Sequence, residues 1–321
     1  MREAIEPPER LMRLTLGARA AASRVSRAAA LALALAGCSG GAADGRPSFD
    51  GDAASEDGGA SGDAASEDGG PTEDAASDAA DAASDGEAGW TCDPDAAPLP
   101  NEGLVEAPGG GGCPPGMARV TDFCIDRYEA SLVLMSPAGG VTTWSPFVNP
   151  GAEQVRAVSI AGAVPQAYID QPRAADACAR AGKRLCTDDE WLMACETAAG
   201  YTYPYGEVRE PGVCNDARAV HPAEEYFGTT DPWIYSELDD ACLDQLPDSL
   251  DRSGANPGCV TPEGVYDLMG NLHEWTADPA GTFRGGFFVD TVRNGDGCRY
   301  VTTAHQANYW DYSTGFRCCA S

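Results

Sequence analysis

The chain has 321 residues, 50 of them acidic and 21 basic, with a formal net charge of −29 at pH 7 and 13 cysteines. So negative a chain is poorly suited to nucleic acid or to an anionic membrane surface, because both would repel it. Cations and basic partners are favoured instead, although solubility outside the cell explains the charge more simply.

The N-terminal segment 1–37 has the pattern of a bacterial export signal. It is rich in arginine and contains a short apolar run, Ala28–Ala36, shortly before Cys38. The run is far below the roughly 20 residues that cross a bilayer, so we expect a signal peptide and no membrane span. The sequence LAGC favours lipidation of Cys38, and Ser39 after it favours the outer membrane or surface of the cell envelope. The alternative is an ordinary secreted protein.

Composition divides the rest of the chain into three parts. Residues 38–89 are almost entirely Asp, Glu, Ala, Ser and Gly, and they repeat GDAASEDGG from Gly51 and from Gly62. Such a segment cannot bury a core, so it predicts a disordered acidic tether. Residues 90–112 are rich in Gly and Pro and predict a linker, and residues 113–321 are long enough for one sizeable domain.

The cysteines predict a disulfide framework. Twelve lie between Cys92 and Cys319, an even number in an exported chain. Thiolate metal binding is the rival interpretation, but no pair has the C-x-x-C spacing of a zinc site. The three histidines, His221, His273 and His305, also lack ligand spacing, which favours hydrogen-bonded scaffold positions.

Local patterns predict one or two strands in Met117–Ala130. Two helices are predicted further along the chain. Asp170 can cap a helix over 170–181, and a second helix follows the capping box Thr187–Glu190, with Trp191 in the core. Residues 201–262 show no convincing period. So long a loop needs disulfides or ions to hold it.

The string GVYDLMGNLHEWT, residues 264–276, has no repeating apolar period. Gly264 and Gly270 favour tight turns, and the carboxylates of Asp267 and Glu274 can converge on one point. This pattern predicts a hard-cation site. The alternative is a glycine turn with two solvated acids.

Five motifs follow one another in a fixed order: AGKRLCTDDEW, YPYG, GVYDLMGNLHEWT, FRGG and GFRC. Together with FCIDRYE before them, they resemble the formylglycine-generating enzyme family, also called sulfatase-modifying factors. Cys186 stands where the family's AGKRLPTEAEW has Pro. The resemblance covers about two thirds of the chain, from Cys113 onward. It implies an α+β fold that is irregular, loop-rich, C-type-lectin-like and, here, disulfide-rich.

The resemblance also implies calcium. The ligands would be the side chains of Asp267 and Glu274 and the backbone carbonyls of Gly270 and Leu272, a mixture of oxygens that calcium accepts. A second family site would begin at Asn215 and the backbone of Asp216. Its remaining ligands fall in a divergent loop.

Two disulfides are implied as well. The family pairs the cysteines that match Cys178 with Cys318, and Cys195 with Cys298. Cys319 would face the opposite side of a strand from its neighbour and needs another partner, for which Cys124 and Cys186 are both candidates.

The catalytic segment departs from the resemblance. Aerobic family members bind copper(I) through two cysteines in R-G-G-S-x-x-C-x-x-x-x-C, because soft thiolates select cuprous ion. Here the serine position is Phe287 and the cysteine positions are Asp290 and Gly295. We therefore expect no copper and assign no catalytic residue. Cys298 as a displaced nucleophile is the weaker alternative.

The favoured hypothesis is a lipid-anchored, calcium-stabilised binding or envelope module. A groove lined by Phe287, Asp290, Arg293 and Trp310 would take an unknown protein or small-molecule ligand. We expect no nucleic acid, and membrane contact only through the anchor. The alternatives are a formylglycine-generating oxidase that acts on a sulfatase cysteine, and a structural surface protein.

Overall fold

The computed structural model describes residues 92–94 and 99–321. The predicted signal peptide, Cys38 and the tether to residue 89 lie outside the described residues. Within the described part, no helix combines the length and apolar character that a membrane span requires.

Short strands and helices alternate with long connections throughout the described residues. The strands are β1 Met117–Val120, β2 Phe123–Asp126, β3 Ala130–Met135, β4 Val141–Thr143, β5 Val155–Ser159, β6 Arg184–Leu185, β7 His273–Trp275, β8 Phe283–Arg284, β9 Val301–Thr302, β10 Thr314–Phe316 and β11 Cys318–Ala320. The helices are α1 Gln171–Arg180, α2 Asp188–Glu196 and α3 Pro222–Phe227. This confirms the loop-rich, disulfide-rich α+β class.

Three small sheets organise these strands, in the orders β1-β2-β11-β6, β10-β7-β8-β9 and β4-β3-β5. All pairs are antiparallel except β7 with β10. The predicted N-terminal strands form the β1–β2 hairpin, whose turn holds Thr121 at φ 47°. The first two sheets both contain a C-terminal strand, so the last residues of the chain tie early and late parts of the domain together.

Both predicted helices are confirmed with their caps. The Asp170 side chain accepts a hydrogen bond from the Arg173 amide at the start of α1. At the start of α2, Thr187 and Glu190 form the reciprocal capping box. Each interaction satisfies amides that the first turn leaves without partners. Trp191 on α2 is fully buried in the core, as predicted.

The stretch 201–262 is less irregular than its sequence indicates. It contains α3 and two short 3₁₀ helices, Pro232–Ser236 and Leu243–Gln245. The start of α3 is marked by His221, whose ring accepts from the Ala223 amide, and by a proline in the first turn. A six-residue helix is too short to show a 3.6-residue period, which is why the pattern missed it.

The segment predicted to be a linker docks on the domain over its described part. The side chain of Asn101 is buried and makes two hydrogen bonds with the backbone of Val164, at 2.8 and 2.7 Å. Glu106 accepts from the Ser159 amide at 3.0 Å. Composition alone gives no sign of these long-range bonds, because each depends on a partner more than 50 residues away.

Six disulfides use all twelve cysteines of the described residues: Cys92–Cys242, Cys113–Cys124, Cys178–Cys318, Cys186–Cys319, Cys195–Cys298 and Cys214–Cys259. Two of them join the cysteines that the resemblance pairs. Cys319 bonds Cys186, one of its two candidate partners. The neighbours Cys318 and Cys319 bond to opposite sides of β11, as strand geometry requires.

Two of these bridges close almost the same stretch of chain, since Cys178–Cys318 spans 140 residues and Cys186–Cys319 spans 133. With either one intact, the other closes only a loop of about ten residues. Replacing one pair by alanine should therefore cost about 3 kcal/mol. Replacing both should cost more than the sum of the single losses. Urea unfolding of the three variants measures this, and additive losses would contradict it.

Candidate functional site

The predicted cation loop, residues 264–276, is sharply bent. Asp267, Gly270 and Asn271 all have positive φ, at 56°, 79° and 60°. Gly270 also lies against Asn215, since a Cβ at position 270 would stand 2.1 Å from the Asn215 carbonyl oxygen. The Asn271 amide donates to that oxygen at 2.8 Å. The two segments that the resemblance assigns to calcium therefore lie against each other.

A buried ion pair fixes the end of this loop. The Arg317 guanidinium holds both carboxylate oxygens of Glu274, at 2.6 and 2.5 Å. The Trp191 indole donates to the same carboxylate at 2.7 Å. Arg317 also donates to the backbone carbonyls of Asp126 and Tyr266, at 3.1 and 3.0 Å. Helix α2, strand β2 and the C-terminal segment thus meet at one charge pair.

Two further carboxylates surround this pair. Glu129 accepts from the Asn271 side chain at 2.6 Å and from the Leu272 amide at 3.1 Å. Burial, then the charges of Asp267 and Glu274, hold the pKa of Glu129 well above its usual range. Burial also raises the pKa of Asp267 to about 7, with Glu274 adding to the shift. Three buried carboxylates therefore share one guanidinium.

Buried carboxylates crowded in this way fit a hard cation, because the four groups that the resemblance assigns to the ion all offer oxygen. Asp267 and the carbonyls of Gly270 and Leu272 would hold the ion. Glu274 would have to share its carboxylate with Arg317. Within residues 92–94 and 99–321, no three His, Cys, Asp or Glu side chains form a metal-binding group. An ion here would therefore depend largely on backbone carbonyls.

The segment that matches the copper-binding motif starts where β8 ends. Arg284 makes a two-pronged ion pair with Asp188 at 2.8 and 2.5 Å. Gly286 then has φ 70°, and a Cβ there would stand 2.3 Å from the Asp290 carbonyl oxygen. The backbones of Phe287 and Asp290 bond each other reciprocally at 3.0 Å. The two glycines thus form a tight turn.

The two positions that would carry thiols now serve the backbone. The Asp290 carboxylate accepts from the amides of Val292 and Arg293, both at 3.2 Å, which closes the turn. Gly295 has φ 117°, and a Cβ there would lie 2.5 Å from the Arg299 carbonyl oxygen. A cysteine at position 295 therefore requires the backbone to move. Since Cys298 is bonded to Cys195, it is not a free nucleophile here.

Two of the predicted groove residues, Phe287 and Trp310, belong to a group of aromatic rings that also includes His273 and Tyr312, called here the aromatic wall. The Phe287 ring lies 4.8 Å from the His273 ring and 6.0 Å from the Tyr312 ring. Trp310 packs, half-buried, against the same apolar cluster as Phe287. Asp290 is half-buried and Arg293 exposed beside them along the chain. Phe287 and Trp310 thus share one apolar cluster, and a groove that also includes Asp290 and Arg293 stays a prediction.

Sequence reasoning missed the part that histidines play in this wall. His273 is buried, and its Nδ1 has no hydrogen-bond partner in the structure. Burial, with a smaller contribution from His305, lowers the pKa of His273 to about 3. The ring is therefore neutral at physiological pH. In the sequence, the only indication that His273 belongs to this site is its position directly before Glu274.

His221 connects α3 to the same wall. Its Nδ1 accepts from the Ala223 amide at 3.2 Å, and its Nε2 lies 2.9 Å from the Tyr312 hydroxyl. Since Nδ1 accepts, the neutral ring carries its proton on Nε2 and donates it to Tyr312. Burial, with help from the charges of Arg218 and Arg293, lowers the pKa of His221 below its usual 6.5.

The small sheets, long connections and paired cysteines together define a scaffold of the sulfatase-modifying factor type. A family model described as the sulfatase-modifying factor enzyme 1-like domain matches residues 111–320. The chain belongs to this family.

The similar proteins include two named Inactive C-alpha-formylglycine-generating enzyme 2. The mouse protein is 29% identical over 173 residues, which are 49% of each chain. The bovine protein is 28% identical over 158 residues, covering 44% of this chain and 46% of its own. This chain thus spans about half the length of the curated relatives it matches. The solved crystal structure of CarF is 15% identical with a TM-score of 0.35, covering 68% of this chain and 96% of that one.

Acid should weaken the His221 cap. Because the folded pKa of His221 lies below 6.5, its stabilising contribution is fully present above pH 6.5 and is lost as pH falls through the folded pKa. The cap is worth about 1 kcal/mol. His221→Asn keeps a capping side chain that does not titrate, so its free energy of unfolding should depend less on pH below 6.5.

Urea unfolding of wild type and variant between pH 4.5 and 7.5 measures this difference. Thr230→Asn is the matched control, since Thr230 is exposed and does not titrate, and it should keep the wild-type pH dependence. Parallel curves for wild type and His221→Asn would contradict the assignment.

Proposed function

We propose that this chain is a non-catalytic binding module of the sulfatase-modifying factor family. Calcium would stabilise its scaffold, and a lipid on Cys38 would hold it in the bacterial envelope. The observation that carries the proposal is the state of the cysteines. All twelve from Cys92 to Cys319 are paired, and the two thiol positions of the family motif hold Asp290 and Gly295.

The chemistry of the site supports a loss of turnover. Copper(I) needs soft ligands, whereas Asp290 offers a hard carboxylate that is occupied by backbone amides, and Gly295 offers none. The bulky Phe287 fills the place of the family's serine. The mouse and bovine relatives carry the word inactive in their names, which agrees with this proposal.

Binding is favoured by the surface that remains. Phe287 and Trp310 offer half-buried rings, and Asp290 and Arg293 offer opposite charges beside them. Aromatic rings next to a few polar groups are typical of ligand sites. A protein or small molecule would fit this groove, with contact to the membrane only through the anchor. A role as a structural surface protein would leave the groove without a ligand.

An oxidase remains the competing function, and it predicts a different product. Copper(I)-treated protein is incubated under oxygen with a peptide that carries the sulfatase motif C-x-P-x-R, and mass spectrometry searches for the aldehyde. We expect none, because the described residues contain no free thiol. An active family enzyme serves as the positive control. Aldehyde formation would overturn the proposal.

A second arm counts thiols without relying on a substrate. Protein unfolded without reductant and treated with an alkylating agent should show no labelled residue from Cys92 to Cys319. The variant Asp290→Cys with Gly295→Cys should gain label but no turnover, since a side chain at 295 meets the Arg299 carbonyl oxygen. Two labelled cysteines in the unmodified protein would support an oxidase.

Calcium removal tests the scaffold part of the proposal. A chelator should lower the melting temperature by several degrees, because it leaves buried carboxylates uncompensated. Asp267→Asn should shrink that difference. Asp296→Asn is the control, since Asp296 is exposed and caps nothing with its side chain. Equal melting temperatures with and without chelator would contradict the proposal that calcium stabilises the scaffold.

A further inference from the structure

Among the buried carboxylates of the described residues outside the 264–276 loop, Asp244 has no ion-pair partner. Asp244 belongs to the 3₁₀ helix Leu243–Gln245, is only 3% exposed, and neither of its carboxylate oxygens has a hydrogen-bond partner. None of the ion pairs among the described residues includes it. A carboxylate enclosed in this way is costly unless something neutralises it.

The groups around Asp244 are oxygen donors and acceptors. Asp311 is 6% exposed, and its charge raises the pKa of Asp244 beyond the effect of burial. The Asp311 carboxylate accepts from the amide and hydroxyl of Ser313, both at 2.8 Å, and from the Tyr309 hydroxyl at 2.6 Å. The nearby Tyr168 hydroxyl is committed to the Asp240 carbonyl at 2.8 Å. By geometry these bonds leave the Asp244 carboxylate without a donor, while the nearby Tyr168 hydroxyl favours its charged form.

A proton on Asp244 satisfies at most one of its two oxygens. A protonated carboxyl becomes a donor, and the Tyr168 hydroxyl is the polar group beside it that could accept, which leaves the other oxygen without a partner. A side chain from another protein cannot reach it either, since both oxygens are enclosed. A small cation fits inside the enclosed position and can contact both carboxylate oxygens. Carboxylate, carbonyl and hydroxyl oxygens are also the ligands that a hard divalent ion accepts.

We propose that Asp244 and Asp311 hold a hard divalent cation, for which Ca²⁺ is the probe, at a site separate from the 264–276 loop. The carbonyl of Asp240 and the hydroxyl of Tyr168 complete its oxygen surroundings.

The position gives this ion a role in the groove. It joins the segment around Asp244, which Cys242 fastens to Cys92, to the segment around Asp311. The Tyr312 amide already donates to the Leu238 carbonyl across the same junction, at 3.1 Å. Because the Tyr312 ring packs against the rings of the groove wall, the cation would hold that wall in place.

Calcium stoichiometry of the full exported chain tests the proposal. Asp244→Asn is nearly isosteric and should bind one Ca²⁺ per chain fewer than wild type by equilibrium dialysis. In chelator it should be at least as stable as wild type, since it removes an uncompensated charge. Asp239→Asn is the matched control, an exposed acid in the same segment, and should keep the wild-type number.

Asp267→Asn separates this site from the loop. If the loop also binds calcium, this variant loses that ion and keeps the one at Asp244, so either site can fail alone. Equal stoichiometry for wild type and Asp244→Asn would overturn the proposal. A wild type that binds no Ca²⁺ would overturn it together with the loop site.

A measurement on the unmodified chain covers the case in which Asp244→Asn fails to fold. Crystals soaked in terbium, a luminescent and strongly scattering substitute for calcium, should give an anomalous peak between the carboxylates of Asp244 and Asp311. Peaks confined to other positions would contradict the site.

Discussion

The ion pair between Arg317 and Glu274 is the interaction on which the rest of the domain depends. Both side chains are fully enclosed, and the guanidinium reaches backbone carbonyls on β2 and in the 264–276 loop besides its carboxylate. Burying such a pair gives little net stability by itself, but leaving one partner alone costs several kcal/mol. The pair therefore selects one arrangement of strands, loop and helix α2, and penalises the others.

Around this centre the segment after β8 is held by its own backbone. The glycine turn after β8 is intact, and Cys195–Cys298 still anchors the region beyond it. Asp290 uses its carboxylate to close the turn, and Gly295 is packed against the Arg299 carbonyl oxygen. Both positions thus belong to the local backbone arrangement, and two cysteines placed there would have to displace it.

The sequence predicted the features that depend on neighbours along the chain. The caps of α1 and α2, the strand pattern of Met117–Ala130 and the bent loop at Gly270 all follow from residues within a few positions of one another. The motif resemblance supplied the fold, since five motifs in order are far more specific than any local period.

Long-range partners could not be predicted in this way. Glu129 meets Asn271 across 142 residues, and Asn101 meets Val164 across 63. No local pattern marks these charged and polar side chains as buried. The same holds for Asp244, whose sequence surroundings resemble any acidic loop. The burial of these groups depends on the tertiary structure, and the buried carboxylates among them are the basis of the two proposed cation sites.

A double-mutant cycle on Arg317 and Glu274 tests the central claim most directly. Arg317→Met should cost about 3–5 kcal/mol of unfolding free energy, and more than Glu274→Gln, because it removes the guanidinium from three buried carboxylates. The double variant should lose less than the sum of the single losses, by about 2 kcal/mol or more. Single losses below about 0.5 kcal/mol that simply add would contradict the claim that this pair organises the fold.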